Sequence, residues 1–298
     1  MTFSIVARDP VSGQMGVAVQ SHWFSVGSVV SWGQAGVGVV ATQAFAEPAY
    51  GPRGLAGMAE GRDAPDVLAA LLAEDPEREA RQVAMVDARG NVAAHTGDRC
   101  IAEAGHVTGD GFSCQANMMW TGSVWPSMAE TFRKTPGDLS DRLPLALVAA
   151  QDAGGDVRGI QSSAILVVGP EPTGDPLRDR PLDLRVEDHP DAVSELLRLL
   201  RLHRAYVHMD MFDTAMETGN EEQAWRQVAA AESLARDNIE VIFWKAVALA
   251  KLGREDEARE LFGRCKVVYE GWPVLLRRLP DAGLFPDDPE LIERLLGD

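Results

Sequence analysis

Short apolar runs, each bounded by glycine, proline or aspartate, recur through the N-terminal part of the chain, as far as Val168. Runs of this length and spacing predict β-strands rather than helices. The predicted strands lie at residues 3–7, 15–20, 36–43, 82–87, 91–95 and 161–168. The turns at residues 9–13 and 88–90 contain glycine, which indicates two hairpins.

Between these strands, apolar residues recur at spacings of three and four, which is typical of helices with one buried face. The predicted helices lie at residues 52–60, 64–73, 125–133 and 139–152. Groups of strands alternating with groups of helices predict an α+β fold, in which helices cover the outer faces of mixed sheets.

The sequence changes character after Val168. Residues 169–190 are rich in proline, aspartate and arginine and predict a linker with one edge strand at 182–186. Only helical patterns follow from Asp191 onward. We therefore expect one domain at residues 1–190 and a helical domain at 191–298.

Within the helical domain, Gly219 and Gly253 each lie at a turn between two helical patterns. Small and apolar residues repeat at matching offsets after both glycines: Ala224 and Ala258, Val228 and Phe262, Ala231 and Cys265. The spacing of the glycines equals the ~34-residue period of tetratricopeptide repeats, which place small residues at helix crossings. The alternative is an unrelated helical bundle. Such repeats predict a surface for a protein partner or for self-association.

The formal net charge of −17 disfavours binding to nucleic acid or to an anionic membrane surface. The three cysteines are too scattered for a disulfide framework, and no apolar run reaches the length of a membrane span. Because no signal peptide is recognisable either, we expect a cytoplasmic protein. His22, His95 and His106 lack metal-ligand spacing, so neither a metal nor a cofactor is expected.

Thr2 follows the initiator methionine directly and opens the first predicted strand. If Met1 is removed, Thr2 has both a hydroxyl nucleophile and a free α-amine. The ordinary pKa of such an amine is about 8, so it can accept the hydroxyl proton near neutral pH. The alternative is an ordinary second residue on an ordinary strand, since one residue type at one position is a weak motif.

Five segments within residues 1–190 resemble the family called domain of unknown function 1028, or DUF1028. They are TFSIVARDPVSGQMGVAV (2–19), AGVGVVATQAFAEPAYGPRGL (35–55), TGDRCIAEAGH (96–106), GDGFSCQANMM (109–119) and QSSAILVV (161–168). This family is grouped by fold with the N-terminal nucleophile (Ntn) hydrolases. The resemblance implies a four-layer αββα sandwich and amide-bond hydrolysis, with no substrate specified, and it does not extend beyond about residue 200.

The chain departs from proteasome-like Ntn hydrolases in one respect. It has no lysine before Lys134, so the lysine that tunes the nucleophile in those enzymes has no counterpart. A proton relay would use the α-amine alone, His22 or an arginine. For the oxyanion hole, which needs neutral donors, the candidates are the side-chain amides of Gln43, Gln115 and Asn117. These amides could instead satisfy backbone groups at strand ends.

Tyr50 and Arg53 lie in a turn that enters a helix, and together with Gln115 they are the candidate substrate-binding residues. Arg53 could hold a substrate carboxylate, or it could pair with Glu47 or Asp63 on the surface. The leading prediction is an Ntn-type amidohydrolase in which Thr2 attacks a small amide or peptide-like substrate. The alternatives are a non-catalytic binding or scaffold protein and catalysis elsewhere, through Cys114 or a histidine. By analogy with other sandwich proteins we also expect a homo-oligomer.

Overall fold

The computed structural model describes residues 2–297, so Met1 and Asp298 lie outside the described residues. The chain divides into two compact units, with the boundary between Arg198 and Leu199. This boundary falls inside one long helix, Ala192–Glu217. All of the described strands belong to the first unit.

Two antiparallel sheets form the first unit. Their strands are β1 (Thr2–Arg8), β2 (Met15–Ser21), β3 (Ser31–Gln34), β4 (Gly38–Ala44), β5 (Arg81–Asp87), β6 (Val92–Thr96), β7 (Gly105–Gly109), β8 (Phe112–Asn117), β9 (Ser162–Val168) and β10 (Leu182–Val186). The six-stranded sheet has the order β10-β9-β2-β1-β8-β7, and the four-stranded sheet has the order β3-β4-β5-β6. The first strand therefore lies in the middle of the larger sheet, between β2 and β8.

Helices complete the chain. They are α1 (Gly27–Val30), α2 (Tyr50–Ala59), α3 (Ala64–Glu74), α4 (Val124–Lys134), α5 (Leu139–Asp152), α6 (Pro176–Asp179), α7 (Ala192–Glu217), α8 (Glu221–Leu234), α9 (Ile239–Lys251), α10 (Glu255–Val268), α11 (Gly271–Arg278) and α12 (Pro289–Leu296). The protein is thus α+β, with a helical C-terminal region.

The two sheets face each other through β1, β4, β5 and β8. Most side chains in their shared core are small or branched, among them Val6, Val17, Val39, Ala41 and Val86. Helices α4 and α5 pack on the larger sheet, while α2 and α3 pack on the smaller one. Because side chains alternate along a strand, each sheet directs one set of residues to the other sheet and one set to its helices.

The predicted hairpins of β1–β2 and β5–β6 are present, as is the edge strand β10 within residues 169–190. Sequence analysis missed the β7–β8 hairpin. Alternate positions of β8 carry Ser113, Gln115 and Asn117, a pattern that normally indicates a solvent-exposed face, yet all three residues are buried.

In the second unit, the turns at Gly219 and Gly253 have the same geometry. Both glycines have a positive φ, of 72° and 77°. After them, Asn220 N–H donates to Ala215 O at 2.8 Å, and Arg254 N–H donates to Leu249 O at 2.9 Å. These hydrogen bonds are equivalent and are separated by the same interval as the two glycines. The small residues that repeat after each glycine are buried.

Within residues 2–297, no helix has the length and apolar character that crossing a bilayer requires.

Two helical glycines give opposite expectations for a glycine-to-alanine change. A Cβ on Gly51 would lie 2.3 Å from ring carbons of Trp32, whereas a Cβ on Gly263 would meet nothing within 4 Å. We expect Gly51→Ala to destabilise the first unit by about 1–3 kcal/mol through overpacking. Gly263→Ala should stabilise its helix by about 0.5–1 kcal/mol. Thermal unfolding of both variants tests this; a tolerated Gly51→Ala would contradict the tight α2–β3 packing.

Candidate active site

Thr2 begins the central strand of the larger sheet and is almost fully buried. It lies opposite Ser21 on β2 and opposite Asn117 on β8. The Thr2 hydroxyl donates a hydrogen bond to Ser21 Oγ at 3.0 Å. The side chain is therefore held by a neighbouring strand, and its position follows directly from the strand register.

Two side-chain amides hold the carbonyl oxygen of Thr2. Gln43 Nε2 donates to it at 3.2 Å, and Asn117 Nδ2 donates at 3.4 Å. The same two nitrogens also donate to Gln82 Oε1, at 2.7 Å and 2.8 Å. Each amide nitrogen has two hydrogens, so all four are used inside the protein. The predicted oxyanion donors thus point at Thr2 and Gln82.

Gln82 lies at the centre of this cluster and connects the two sheets. While its Oε1 accepts from Gln43 and Asn117, its Nε2 donates to Ala116 O at 2.8 Å and to Thr96 Oγ1 at 2.9 Å. Gln82 is fully buried. A buried amide that satisfies both its oxygen and its nitrogen fixes the positions of all its partners.

The hydrogen-bonded chain continues along the inner face of the larger sheet. Ser4 Oγ donates to Gln43 Oε1 at 2.6 Å and accepts from Gln115 Nε2 at 2.7 Å. Ser113 in turn donates to Gln115 Oε1 at 2.8 Å. Gln115, a predicted substrate-binding residue, is therefore an internal member of the chain. We name this set the amide network: Thr2, Ser4, Gln43, Gln82, Ser113, Gln115 and Asn117.

The backbone turns sharply just after two members of the amide network. Ala44 follows Gln43 with a φ of 69°, and Met118 follows Asn117 with a φ of 59°. Left-handed backbone at non-glycine residues is uncommon, and it concentrates at functional sites where the surroundings enforce it. The ends of β4 and β8 are therefore held in a costly conformation beside Thr2.

A loop before β9 ties together the two strands that flank Thr2. The buried carboxylate of Asp156 accepts from His22 N–H at 3.3 Å and from the Arg158 guanidinium at 2.8 Å. Val157 N–H donates to Met118 O at 3.2 Å. Because β1 lies between β2 and β8, this loop bridges the strand ends on either side of Thr2. His22 Nδ1 is buried and has no hydrogen-bond partner among residues 2–297.

On the side away from Thr2, hydrogen bonds connect Gln82 to the surface through Thr96 and His106. Thr96 Oγ1 accepts from Gln82 and lies at hydrogen-bond distance, 2.8 Å, from His106 Nδ1, where the imidazole tautomer sets which atom donates. Desolvation, with a smaller contribution from His95, lowers the pKa of His106 below its ordinary 6.5. The lowered pKa favours the neutral form of the imidazole.

Tyr50 and Arg53 lie elsewhere. They line a cavity of about 300 Å³ together with Glu47, Glu74 and Asp75. Tyr50 packs on the helix-covered face of the smaller sheet, opposite to the face that carries Gln43. Arg53 pairs with Glu74 rather than with Glu47 or Asp63. The structure does not bring these two predicted substrate-binding residues to Thr2.

The environment of Cys114, the alternative nucleophile, does not favour that role. Cys114 is completely buried, and burial raises the pKa of its thiol, which disfavours the reactive thiolate. Among residues 2–297, no group of three or more histidine, cysteine, aspartate or glutamate side chains is arranged to hold a metal ion.

Sequence reasoning missed Ser4, Ser21 and Gln82 as parts of the site. Their signal was present, since each is a polar residue on a strand that is mostly apolar. A polar residue on an inward-facing position needs a buried partner. Only the pairing of the two sheets identifies which residues are those partners.

Comparisons with known proteins extend these observations. The model of the family of unknown function DUF1028 matches residues 2–196. A crystal structure of a DUF1028 protein from Silicibacter pomeroyi is 32% identical, covers 66% of this chain and 87% of that one, and superposes with a TM-score of 0.60. No curated protein matches the chain significantly.

Replacing Gln82 with methionine keeps its volume but removes the acceptor and donor that join the sheets. The buried amides of Gln43 and Asn117 then lose a partner, which costs about 1–3 kcal/mol for each unsatisfied group. We expect Gln82→Met to lower the free energy of unfolding of the first unit by about the sum of the penalties for these two amides. Gln161→Met is the control, because Gln161 makes an exposed bond to Asp188. Equal stabilities in denaturant titration would contradict the central role of Gln82.

Proposed function

The chain belongs to the DUF1028 family, and from the geometry around Thr2 we propose that it is an amide hydrolase of the N-terminal nucleophile type. The observation that carries the proposal is the position of Thr2. Its hydroxyl is held by Ser21, and its carbonyl is held by two buried amides at the start of the central strand.

The order of layers supports this proposal. Helices α4 and α5, the larger sheet, the smaller sheet, and helices α2 and α3 follow one another. We infer that this is the αββα sandwich of the Ntn hydrolases, in which the nucleophile opens a central strand. A fold hosts many functions, so the argument for hydrolysis rests on Thr2 and its contacts.

In the proposed reaction, removal of Met1 frees the α-amine of Thr2. Thr2 Oγ1 then bonds to the amide carbonyl carbon of the substrate, while the hydroxyl proton moves to the α-amine. The carbon–nitrogen bond of the substrate breaks, and the departing amine takes that proton. Water subsequently attacks the ester on Thr2, which releases a carboxylic acid and restores the hydroxyl. No metal or cofactor enters these steps.

We assign Gln43 and Asn117 to positioning, in place of the oxyanion role expected from sequence. Their amide hydrogens are directed to Thr2 O and Gln82 Oε1, so they fix the backbone that carries the nucleophile. Asn117 Oδ1 is buried with no partner among residues 2–297. Opposite Thr2 in register, this oxygen can accept a hydrogen bond from the freed amine. It would orient the base toward Oγ1.

A second candidate function is a non-catalytic binding protein. The observation that favours it is that two of the candidate oxyanion donors, Gln43 and Asn117, are fully used inside the protein. We infer that the helices of the second unit are tetratricopeptide-type repeats, supported by the equivalent turns at Gly219 and Gly253. They would take a protein partner or a second copy of the chain, and the expected homo-oligomer stays a prediction.

Covalent labelling distinguishes the two candidates. A β-lactone acylates an N-terminal threonine without a leaving group, so the full-length protein should gain the mass of the lactone on a peptide that begins at Thr2. Thr2→Ala should lose the adduct, because it keeps the α-amine but has no hydroxyl to attack the lactone. Thr2→Ser and Cys114→Ala should keep it. An unlabelled wild-type protein, or an adduct that survives in Thr2→Ala, would overturn the proposed role of Thr2.

A further inference from the structure

Large aromatic side chains are exposed around Thr2. In the described part of the first unit the exposed aromatic residues are Trp23, Phe24, Phe45 and Trp120, with 56–64% of each side chain accessible. The other aromatic residues of this unit are buried or half-buried. Exposed aromatic residues that concentrate in one place mark a surface that binds something.

Each of these aromatic residues follows a residue that touches Thr2. Trp23 and Phe24 come two and three positions after Ser21, which accepts from the Thr2 hydroxyl. Phe45 comes two positions after Gln43, whose amide holds Thr2 O. At 3.2–3.4 Å per residue, two or three residues span no more than about 10 Å of chain. The backbones of these aromatic residues therefore lie near Thr2, at the same end of the two sheets.

Trp120 is the fourth exposed aromatic residue. It lies three positions after Asn117, whose amide also donates to Thr2 O. Its backbone is held by a hydrogen bond, since Trp120 N–H donates to Gly155 O at 3.0 Å in the loop before β9. Two further exposed apolar residues belong to segments bonded to Met118. Ile101 supplies its carbonyl oxygen to Met118 N–H, and Val157 donates its N–H to Met118 O.

We propose that Trp23, Phe24, Phe45 and Trp120 form an aromatic rim that binds a bulky apolar group next to the amide bond of the substrate. This inference rests on the proposed function of Thr2. The substrate class it names is an amide that carries an aromatic or large branched group beside the bond to be cleaved. An aromatic rim gains binding energy by removing such a group from water, and stacking adds to it.

The exposed area favours a small substrate over a second copy of the chain. Four rings of this kind, each a little over half exposed, present on the order of 500 Å². A stable protein–protein interface buries about 800 Å² on each partner. The rim is also divided among three strand ends from both sheets, the ends of β2, β4 and β8 that meet at Thr2 through Ser21, Gln43 and Asn117. This arrangement fits a compact group held above Thr2.

The test compares two ligands that differ by one phenyl ring: N-phenylacetylglycinamide and N-acetylglycinamide. Binding to the full-length Thr2→Ala protein is measured by calorimetry, so that no hydrolysis occurs. We expect the phenylacetyl compound to bind about tenfold tighter or more. The double variant Phe45→Ala and Trp120→Ala should lose this preference. Leu177→Ala is the control, because Leu177 is 82% exposed on α6, apart from the rim.

Three results would overturn the inference. The first two are equal binding of the two ligands and a preference that the double variant retains. A third is a wild-type dimer that the double variant converts to a monomer in sedimentation, because a second copy would then occupy the rim. Failure of the proposed function gives a different result. In that case β-lactone labelling of Thr2 is absent while the phenylacetyl preference and its loss in the double variant remain.

Discussion

The two sheets of this protein are joined by buried amides, and the rest of the first unit is organised around them. Gln82 Oε1 accepts hydrogen bonds from Gln43 and Asn117, and Gln82 Nε2 donates one to Thr96. Polar groups between two sheets are tolerated only when each is hydrogen-bonded. The amide network therefore requires one register of β1 against β8 and one placement of β4 and β5 above them. Thr2 lies where these requirements meet.

Much of the fold follows from the sequence, because its strands and helices have clear periods. Helix α5 and strand β10 match their predicted bounds, since an aspartate caps α5 and alternating residues mark β10. Strand β8 escaped prediction because its inward face is polar. Local pattern cannot distinguish a polar face that meets water from one that meets the buried amides of another sheet.

The candidate site was predictable only in part for the same reason. Thr2 was selected from its place after the initiator methionine, Gln43 from a predicted strand end, and Asn117 as a polar amide, and the structure brings them together. Tyr50 and Arg53 lie only a few residues after Gln43, yet the chain reverses at Ala44 and carries them to the other face of the smaller sheet. Separation along the sequence gave no indication of this change of face. The amides selected as oxyanion donors also proved to be bonded internally.

Everything proposed for Thr2 depends on its α-amine being free, because the described residues near it offer no lysine to act as the base. The most direct measurement is the intact mass of the protein purified from its native cells, with sequencing of the N-terminal peptide. The account predicts a chain that begins at Thr2, lighter than the translated sequence by one methionine. A protein that retains Met1 would contradict the account, since the amine would then be locked in a peptide bond.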